Sequence, residues 1–151
     1  MRELIQQSGL RICVFIAAMM LCVTPPTLAT DDRLVVVTHP DNRDDITRKD
    51  LYRLYFGKHT SMPGGAQLIP ILNDGDEEQL RHFSSTMLQR SSQQLRSYWA
   101  RQLFTGKGNP PVRVKSAVDV KKMIADNPQF IGYLWESELD SSLRVVLPAP
   151  N

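Results

Sequence analysis

A buried strand followed by a sharply bounded helix constrains the fold of this 151-residue chain more than any other feature. The apolar run Leu34-Val-Val-Val-Thr38 is typical of a strand that is covered on both faces. After a polar turn, residues 47–58 have the pattern of a short amphipathic helix. Thr47 can cap the first turn of this helix, and Gly57 can end it in a left-handed conformation. The segment predicts a domain of the α/β class.

A second apolar run, residues 67–72, follows the helix and a turn that contains Met62-Pro-Gly-Gly65. Both runs suit buried parallel strands. The helix between them would complete a βαβ unit with a right-handed crossover. The carboxyl ends of the two strands would then meet at one edge of the sheet, where α/β proteins place their ligand-facing loops.

The rest of the chain adds three helices and two strands by the same criteria of periodicity and capping. The predicted helices are residues 77–89, 92–103 and 116–126, and the predicted strands are residues 130–135 and 143–147. Residues 104–114 carry glycine and proline and are predicted to form an exposed loop that contacts a partner. The predicted fold is an α/β single compact lobe, with a short, mostly parallel sheet flanked by about four helices.

The first 29 residues have the features of a secretory signal peptide. Arg2 and Arg11 give a positive start, residues 12–23 are an uninterrupted apolar core, and Thr27-Leu-Ala29 is a cleavage site of small residues. A membrane anchor is the competing interpretation, but a span needs roughly 20 apolar residues. We therefore expect export to the periplasm, cleavage near Ala29, and no membrane insertion of the mature chain.

The domain that follows is predicted to span residues 30–147, and residues 148–151 are predicted to be a disordered tail. Both cysteines, Cys13 and Cys22, lie in the signal, so the mature domain has no thiol for a disulfide or a metal. The three histidines lack ligand spacing, and no cofactor is predicted. No serine, histidine and acid combine into a catalytic group, so we expect no enzyme. A net charge of +2 gives no nucleic-acid footprint.

Several short motifs occur in a fixed order after residue 33. They are the helix at residues 47–58, Trp99, Phe104-Thr-Gly-Lys-Gly108, Pro110-Pro111 and Asn127-Pro-Gln-Phe-Ile-Gly-Tyr133. Together they resemble small proteins related to the phosphate-binding components of bacterial ABC transporters. The resemblance implies a type II periplasmic-binding-protein fold in a single-lobe form. It also implies a small, phosphate-like oxyanion as ligand and an inner-membrane permease or sensor as partner.

In that family the anion lies at helix N-termini, helped by a Ser-Gly-Thr turn and an arginine. The corresponding turn here is Asn73-Asp-Gly-Asp-Glu-Glu78, in which Asn73 stands about where the arginine is expected. Four carboxylates surround this helix start, and each unscreened pair of like charges at about 4 Å costs roughly 1 to 4 kcal/mol. The turn therefore disfavours capture of phosphate. Helix capping by Asp74 or Asp76 is the simpler interpretation of its acids, and an acidic recognition site is the alternative.

Four residues are candidates for ligand binding. Thr38 and His39 follow the first strand, Asn73 follows the second, and Arg81 lies one turn into the next helix. His39 could donate to an anion when protonated, although an exposed turn imidazole is the simpler interpretation. Arg81 could reach the same anion, or it could pair with Glu77 or Glu78 on its own helix.

Two functions follow from these observations. The first is an exported solute-binding-like protein that captures a small oxyanion at strand-end loops. The alternative is an interaction module that does not take part in transport and docks on a membrane sensor or an envelope complex. The acidic turn that stands in place of the Ser-Gly-Thr turn disfavours the first function and is compatible with the second. The fold does not distinguish them, because fold and binding chemistry are carried by different residues.

Overall fold

The computed structural model describes residues 32–58, 61–62, 64–65 and 67–150, and the predicted signal peptide lies outside these residues. The strands are β1 (Leu34–Thr38), β2 (Ile69–Asn73), β3 (Val112–Val114), β4 (Phe130–Trp135) and β5 (Arg144–Pro148). The helices are α1 (Arg48–Tyr55), α2 (Glu77–Thr86), α3 (Ser92–Phe104) and α4 (Ala117–Asp126), and a 3-10 turn covers Glu136–Glu138. Every predicted element is present, with boundaries that differ by up to three residues.

The caps of α1 confirm the prediction made from its sequence. The Thr47 hydroxyl accepts a hydrogen bond from the Asp50 N–H at 3.2 Å, and the Asp50 carboxylate accepts one from the Thr47 N–H at 3.2 Å. Gly57 ends the helix with a φ of +62°. A Cβ on Gly57 would lie 2.7 Å from the Trp99 ring, so both the conformation and the close approach require glycine here.

The five strands form one sheet in the order β3-β2-β4-β1-β5. β2 pairs in parallel with β3 and β4, whereas β1 pairs antiparallel with β4 and β5. Four strands therefore point the same way and only β1 points the other way, which confirms a mostly parallel sheet. β3 lies in a segment that was predicted as a loop, because three residues are too few to show a strand period.

The predicted βαβ unit is wrong. β4 lies between β1 and β2, and the two strands run in opposite directions. A strand that is buried on both faces shows the same apolar run whichever way it points, so its sequence does not reveal its direction. The carboxyl ends of β1 and β2 consequently lie at opposite edges of the sheet.

The sheet separates two apolar cores. Leu34 and Val36 of β1 face the core that is covered by α1, α2 and α3. The alternate residues Val35 and Val37 face the smaller core, which is covered by α4. This alternation follows from the strand period of two, and it makes β1 part of both cores.

The boundary predicted for the C-terminal tail was placed too early. Pro148 belongs to β5 and lies opposite Val35, and the Ala149 N–H donates to the Leu34 carbonyl at 2.8 Å. Ala149 is buried against the larger core. Proline is acceptable here because β5 is an edge strand, where one side of the backbone needs no hydrogen bond to a neighbour.

Tyr55 ties α1 to the sheet, and its substitution should show how much this tie contributes. The side chain is fully buried, and its hydroxyl donates to the Ile71 carbonyl at 2.8 Å. Burial also raises the pKa of Tyr55, so the hydroxyl remains a donor throughout the pH range in which proteins are studied. We expect Tyr55→Phe to lower the free energy of unfolding by about 1 to 3 kcal/mol in denaturant titrations, because a buried carbonyl loses a partner.

Tyr52→Phe is the matched control. Within the part of the chain that the structure describes, the Tyr52 hydroxyl makes no hydrogen bond, and the side chain is only partly buried. Its loss should change the free energy of unfolding by about 0.5 kcal/mol or less. Equal losses in the free energy of unfolding for the two substitutions would show that the hydrogen bond to Ile71 does not stabilise the fold.

Candidate functional site

The turn between β2 and α2, residues 73–78, is named the acidic turn below. Asn73 ends β2 with a side chain that is 2% exposed. Its Oδ1 accepts from the Gly75 N–H at 3.2 Å, and its Nδ2 donates to Gln79 Oε1 at 3.0 Å. The Asn73 amide thus stabilises the turn from inside and does not present a donor to solvent.

The start of α2 is capped from within the acidic turn. Asp76 accepts from the Gln79 N–H at 2.9 Å, as expected for a capping carboxylate. Gln79 is fully buried, and its Nε2 donates to Glu138 Oε2 at 2.8 Å. The same Glu138 oxygen accepts from the Trp135 N–H at 2.9 Å. This partly buried chain of hydrogen bonds joins the start of α2 to the end of β4.

Asp74 is an enclosed carboxylate of the acidic turn, with a side chain that is 5% exposed. Arg113 approaches it at 2.5 Å and Lys115 at 2.9 Å, and both come from β3 or the residue after it. Burial alone would raise the pKa of Asp74, but the hydrogen bonds and positive charges of Lys115 and Arg113 outweigh burial and hold this pKa below its ordinary value. The acid is therefore ionised and neutralised internally.

The two cations that hold Asp74 were not found from the sequence. They are two residues apart in Val112-Arg-Val-Lys115, which places them on one side of an extended chain. This alternation is a strand signal, but it covers only three residues and adjoins the glycine- and proline-bearing stretch of the predicted loop. Gly75 adds a steric reason for the contact, since a Cβ at this position would lie 1.8 Å from the Lys115 carbonyl oxygen.

The remaining acids of the turn pair with arginines on helices. Glu77 pairs with Arg96 of α3, and Glu78 pairs with Arg81 at 3.4 Å. Each of the four carboxylates is thus engaged in capping or in an ion pair. The arrangement favours the capping interpretation over an acidic recognition site, and it occupies the positive end of α2 that would otherwise attract an oxyanion.

The structure does not bring the four predicted ligand-binding residues together. Thr38 is fully buried at the end of β1, opposite Ile131 and Arg144. Asn73 lies at the other edge of the sheet, because β1 and β2 run in opposite directions. The expectation that both strand ends share one edge was therefore wrong.

His39 and Arg81 do not join a shared site either. The His39 Nδ1 accepts from the Asp41 N–H at 3.1 Å, which is the arrangement of a local turn. Arg81 has a side chain that is 65% exposed and pairs with Glu78 on its own helix. A ligand-binding role for any of the four residues stays a prediction.

The edge near Thr38 contains a second polar cluster. Among the described residues, Thr38 Oγ1, Asn42 Nδ2 and Asp44 Oδ2 are buried without a hydrogen-bond partner. Arg144 donates to the backbone carbonyls of Asn42 and Asp44 at 2.8 and 3.3 Å. The Arg144 guanidinium thus holds residues 42–44 by their backbone carbonyls, and within the described chain the three side-chain atoms keep no hydrogen-bond partner.

An apolar groove lies between α3 and β3. It encloses about 330 Å³ and is named the α3–β3 groove below. Its apolar walls are formed by Leu72, Leu95, Trp99, Leu103, Pro110 and Pro111. Leu103 is 58% exposed, and the next residue, Phe104, is 93% exposed. Such a concentration of exposed apolar side chains beside a groove is typical of an interaction surface.

The described part of the chain offers neither a metal site nor a membrane span. No group of three histidine, cysteine, aspartate or glutamate side chains is placed to hold a metal ion. None of the described helices has the length and apolarity needed to cross a membrane.

No family model matches this chain, and no curated protein matches its sequence. Solved structures do match. A receptor for ABC-type phosphate transport from Vibrio cholerae has a TM-score of 0.57 at 19% identity, over 76% of this chain and 45% of that chain. A Clostridium perfringens structure with bound phosphate gives 0.58 at 20% identity, over 76% and 44%. PstS from Borrelia burgdorferi gives 0.56 at 16% identity, over 76% and 46%.

These matches confirm the predicted fold, which is a single lobe of the kind found in phosphate ABC transporter substrate-binding proteins. This chain spans less than half the length of the three structures. Identities of 20% or less carry the fold alone, because binding residues can change while the packing of helices on the sheet is kept.

The ion pairs of Asp74 predict how stability depends on pH. The folded pKa of this acid lies below its unfolded value, so its contribution is present above about pH 4 and is lost as the pH falls through the folded pKa. We expect Asp74→Asn to lower the free energy of unfolding by about 1 kcal/mol near pH 6, a modest value because Arg113 and Lys115 are mostly exposed. The difference from the unchanged protein should shrink towards pH 2 in urea titrations.

Asp126→Asn provides the control, since Asp126 is an exposed acid at the end of α4. It should show no comparable loss near pH 6. A difference between Asp74→Asn and the unchanged protein that stays constant from pH 6 to pH 2 would exclude the ionised carboxylate as its source.

Proposed function

We propose that this chain is an exported, binding-protein-like module that docks on another protein of the cell envelope through the α3–β3 groove. In this proposal the signal peptide directs the chain to the periplasm and is removed near Ala29, and the mature domain begins near Thr30. The role is binding and not catalysis, in line with the binding proteins whose fold it shares. The partner is a membrane sensor or an envelope complex.

The observation that carries this proposal is the internal neutralisation of the acidic turn. Asp76 caps α2, and Asp74 is held by Arg113 and Lys115. An oxyanion at the start of α2 would have to displace these carboxylates or approach them closely. Both are unfavourable, because like charges repel and each buried carboxylate would lose its partners.

The exposed apolar surface supports docking on a protein. Leu103 lines the α3–β3 groove, and Phe104, which follows it at the end of α3, is 93% exposed. Exposed large apolar side chains lower solubility unless a partner covers them, and aromatic residues are enriched at the centres of protein interfaces. The ion-paired Arg96 and Arg113 line the same groove and can supply a polar rim.

A small oxyanion is the second candidate ligand. It is favoured by one observation, the phosphate bound in the Clostridium perfringens structure that shares this fold. Capture would then involve the acidic turn in an arrangement that accepts an anion beside Asp74 and Asp76. The internal ion pairs described above argue against this arrangement.

Substitutions at the exposed end of α3 test the docking proposal. The full chain with a C-terminal affinity tag should be recovered from the periplasmic fraction without its first 29 residues. After chemical cross-linking in envelope extracts, Leu103→Ser and Phe104→Ser should each reduce partner recovery by roughly tenfold, as expected for the loss of a central apolar contact.

Val118→Ser is the matched control for this experiment. Val118 is 68% exposed on α4, away from the groove. All three substitutions are at exposed positions, so thermal unfolding should remain within about 0.5 kcal/mol of the unchanged protein. Undiminished recovery with both Leu103→Ser and Phe104→Ser would overturn the docking proposal.

Titration with inorganic phosphate tests the second candidate separately. A bound ligand raises the free energy of unfolding by roughly 1.4 kcal/mol for each tenfold excess over its dissociation constant. The docking proposal predicts no saturable rise with phosphate or sulfate when chloride keeps the ionic strength constant. A saturable rise, with amide chemical-shift changes in the acidic turn, would favour oxyanion capture.

A further inference from the structure

A second pocket lies between the end of α1 and one side of α3, from the turn before that helix to Arg101, and the acidic turn contributes no residue to it. It encloses about 480 Å³ and is named the basic pocket below. Three cationic side chains and two tyrosines define its chemistry: Lys58, Arg90, Arg101, Tyr52 and Tyr98. The volume falls within the roughly 300 to 1,000 Å³ that small-molecule sites occupy.

The charge of the basic pocket is uniformly positive. None of its lining residues is acidic. In the described part of the chain, Lys58, Arg90 and Arg101 have no carboxylate within ion-pair distance. This contrasts with the acidic turn, where Arg113 and Lys115 are engaged by Asp74. Cations that converge on a recess without counter-charges concentrate positive potential there and attract anions.

The positive surface extends beyond the pocket. A neighbouring depression of about 440 Å³ shares Tyr52 and Arg90 and adds Arg48 and Lys49 from the start of α1. No acidic residue lines this depression either. An approaching anion therefore meets Arg48 and Lys49 beside the basic pocket.

Aromatic rings give the basic pocket a firm apolar wall. Lys58 Nζ lies 5.4 Å and Arg90 Cζ lies 5.8 Å from the centre of the Tyr52 ring. Tyr52 stacks on Phe56 at 4.5 Å, and the Tyr98 hydroxyl donates to the Phe56 carbonyl at 2.8 Å. Because these contacts are already made within the protein, the wall is preformed and loses little freedom when a ligand binds.

The backbone beside the pocket is held in an uncommon conformation. Gln89 has a φ of +53°, and it is the one residue other than glycine with a positive φ in the described part of the chain. The Arg90 N–H, just after it, donates to the Ser84 carbonyl at 3.0 Å, and the Arg90 guanidinium donates to the Gln89 carbonyl at 2.9 Å. The left-handed turn thus sets the direction in which Arg90 leaves the backbone. A left-handed residue followed by an N–H that bonds back to a helix carbonyl is a common way in which a helix C-terminus is closed, here that of α2.

We propose that the basic pocket binds a small organic anion in which a flat ring carries a phosphate or carboxylate group. The cations recognise the charged group through charge-assisted hydrogen bonds, and the rings of Tyr52 and Tyr98 pack against the flat part of the molecule. This inference does not rest on the proposed docking surface. The α3–β3 groove is lined by different residues, including Trp99 and Leu103.

The experiment uses three probes, namely phenyl phosphate, benzoate and inorganic phosphate, and the full mature chain. Binding is measured by calorimetry and is located by amide chemical shifts at constant ionic strength. At least one ring-bearing probe should bind saturably, with shift changes concentrated at residues 52–58 and 90–101. Inorganic phosphate, which has no ring, should bind at least tenfold more weakly. A comparison of phenyl phosphate with benzoate shows which charged group the pocket prefers.

Paired substitutions assign the roles of individual side chains. Arg90→Gln and Arg101→Gln should each weaken binding of the ring-bearing probe by roughly tenfold, the usual effect of losing a hydrogen bond to a charged group. Tyr52→Leu should weaken this probe and leave inorganic phosphate unchanged. Lys122→Gln, an exposed cation on α4, is the control and should change nothing.

Three results would overturn the inference. The first is the absence of saturable binding by both ring-bearing probes at millimolar concentration. The second is a set of chemical-shift changes that lie outside the basic pocket. This result is read from the unchanged protein, so it does not depend on whether any variant folds. The third is equal weakening by Arg90→Gln and Lys122→Gln, since this would indicate general charge attraction and not a site.

Discussion

The antiparallel pairing of β1 with β4 is the contact on which the rest of this structure depends. β4 lies between β1 and its own parallel neighbour, β2. β1 in turn supplies apolar side chains to the cores on both faces of the sheet. Loss of this pairing would expose both cores at once. The same pairing directs the carboxyl end of β1 away from that of β2, and it thereby separates Thr38 from Asn73. A single strand direction thus determines both the packing and the location of possible sites.

The acidic turn neutralises its own charges, and this distinguishes the start of α2 from a helix start with free N–H groups. A helix start with free N–H groups attracts an anion from solution, but the carboxylate of Asp76 already occupies this position at α2. Asp74 is in turn paired with Arg113 and Lys115, so the positive charges of these two side chains are already balanced by a carboxylate. The lobe retains the architecture of a phosphate-binding protein while its own side chains neutralise one another.

Local features of this fold could be predicted from the sequence, whereas long-range features could not. Thr47, Ser91 and Ser116 each cap a helix through a residue three positions away, and these contacts depend only on neighbours along the chain. The order and direction of the strands depend on residues far apart, and an apolar run such as Leu34–Thr38 is compatible with either direction. The partners of Asp74 were missed for the same reason, because Arg113 lies 39 residues away on a strand too short to recognise.

Adjacent residues of α3 face two different recesses, and this has a thermodynamic consequence. Tyr98 lines the basic pocket, whereas Trp99 lines the α3–β3 groove and packs against Gly57 and Gly108. Both recesses thus share one 13-residue helix as a wall, and any tilt or slide of that helix reshapes them together. Occupants that prefer different positions of α3 would oppose each other, and occupants that prefer the same position would assist each other by equal free energies in both directions. Movement of α3 would then couple two binding sites that share no residue.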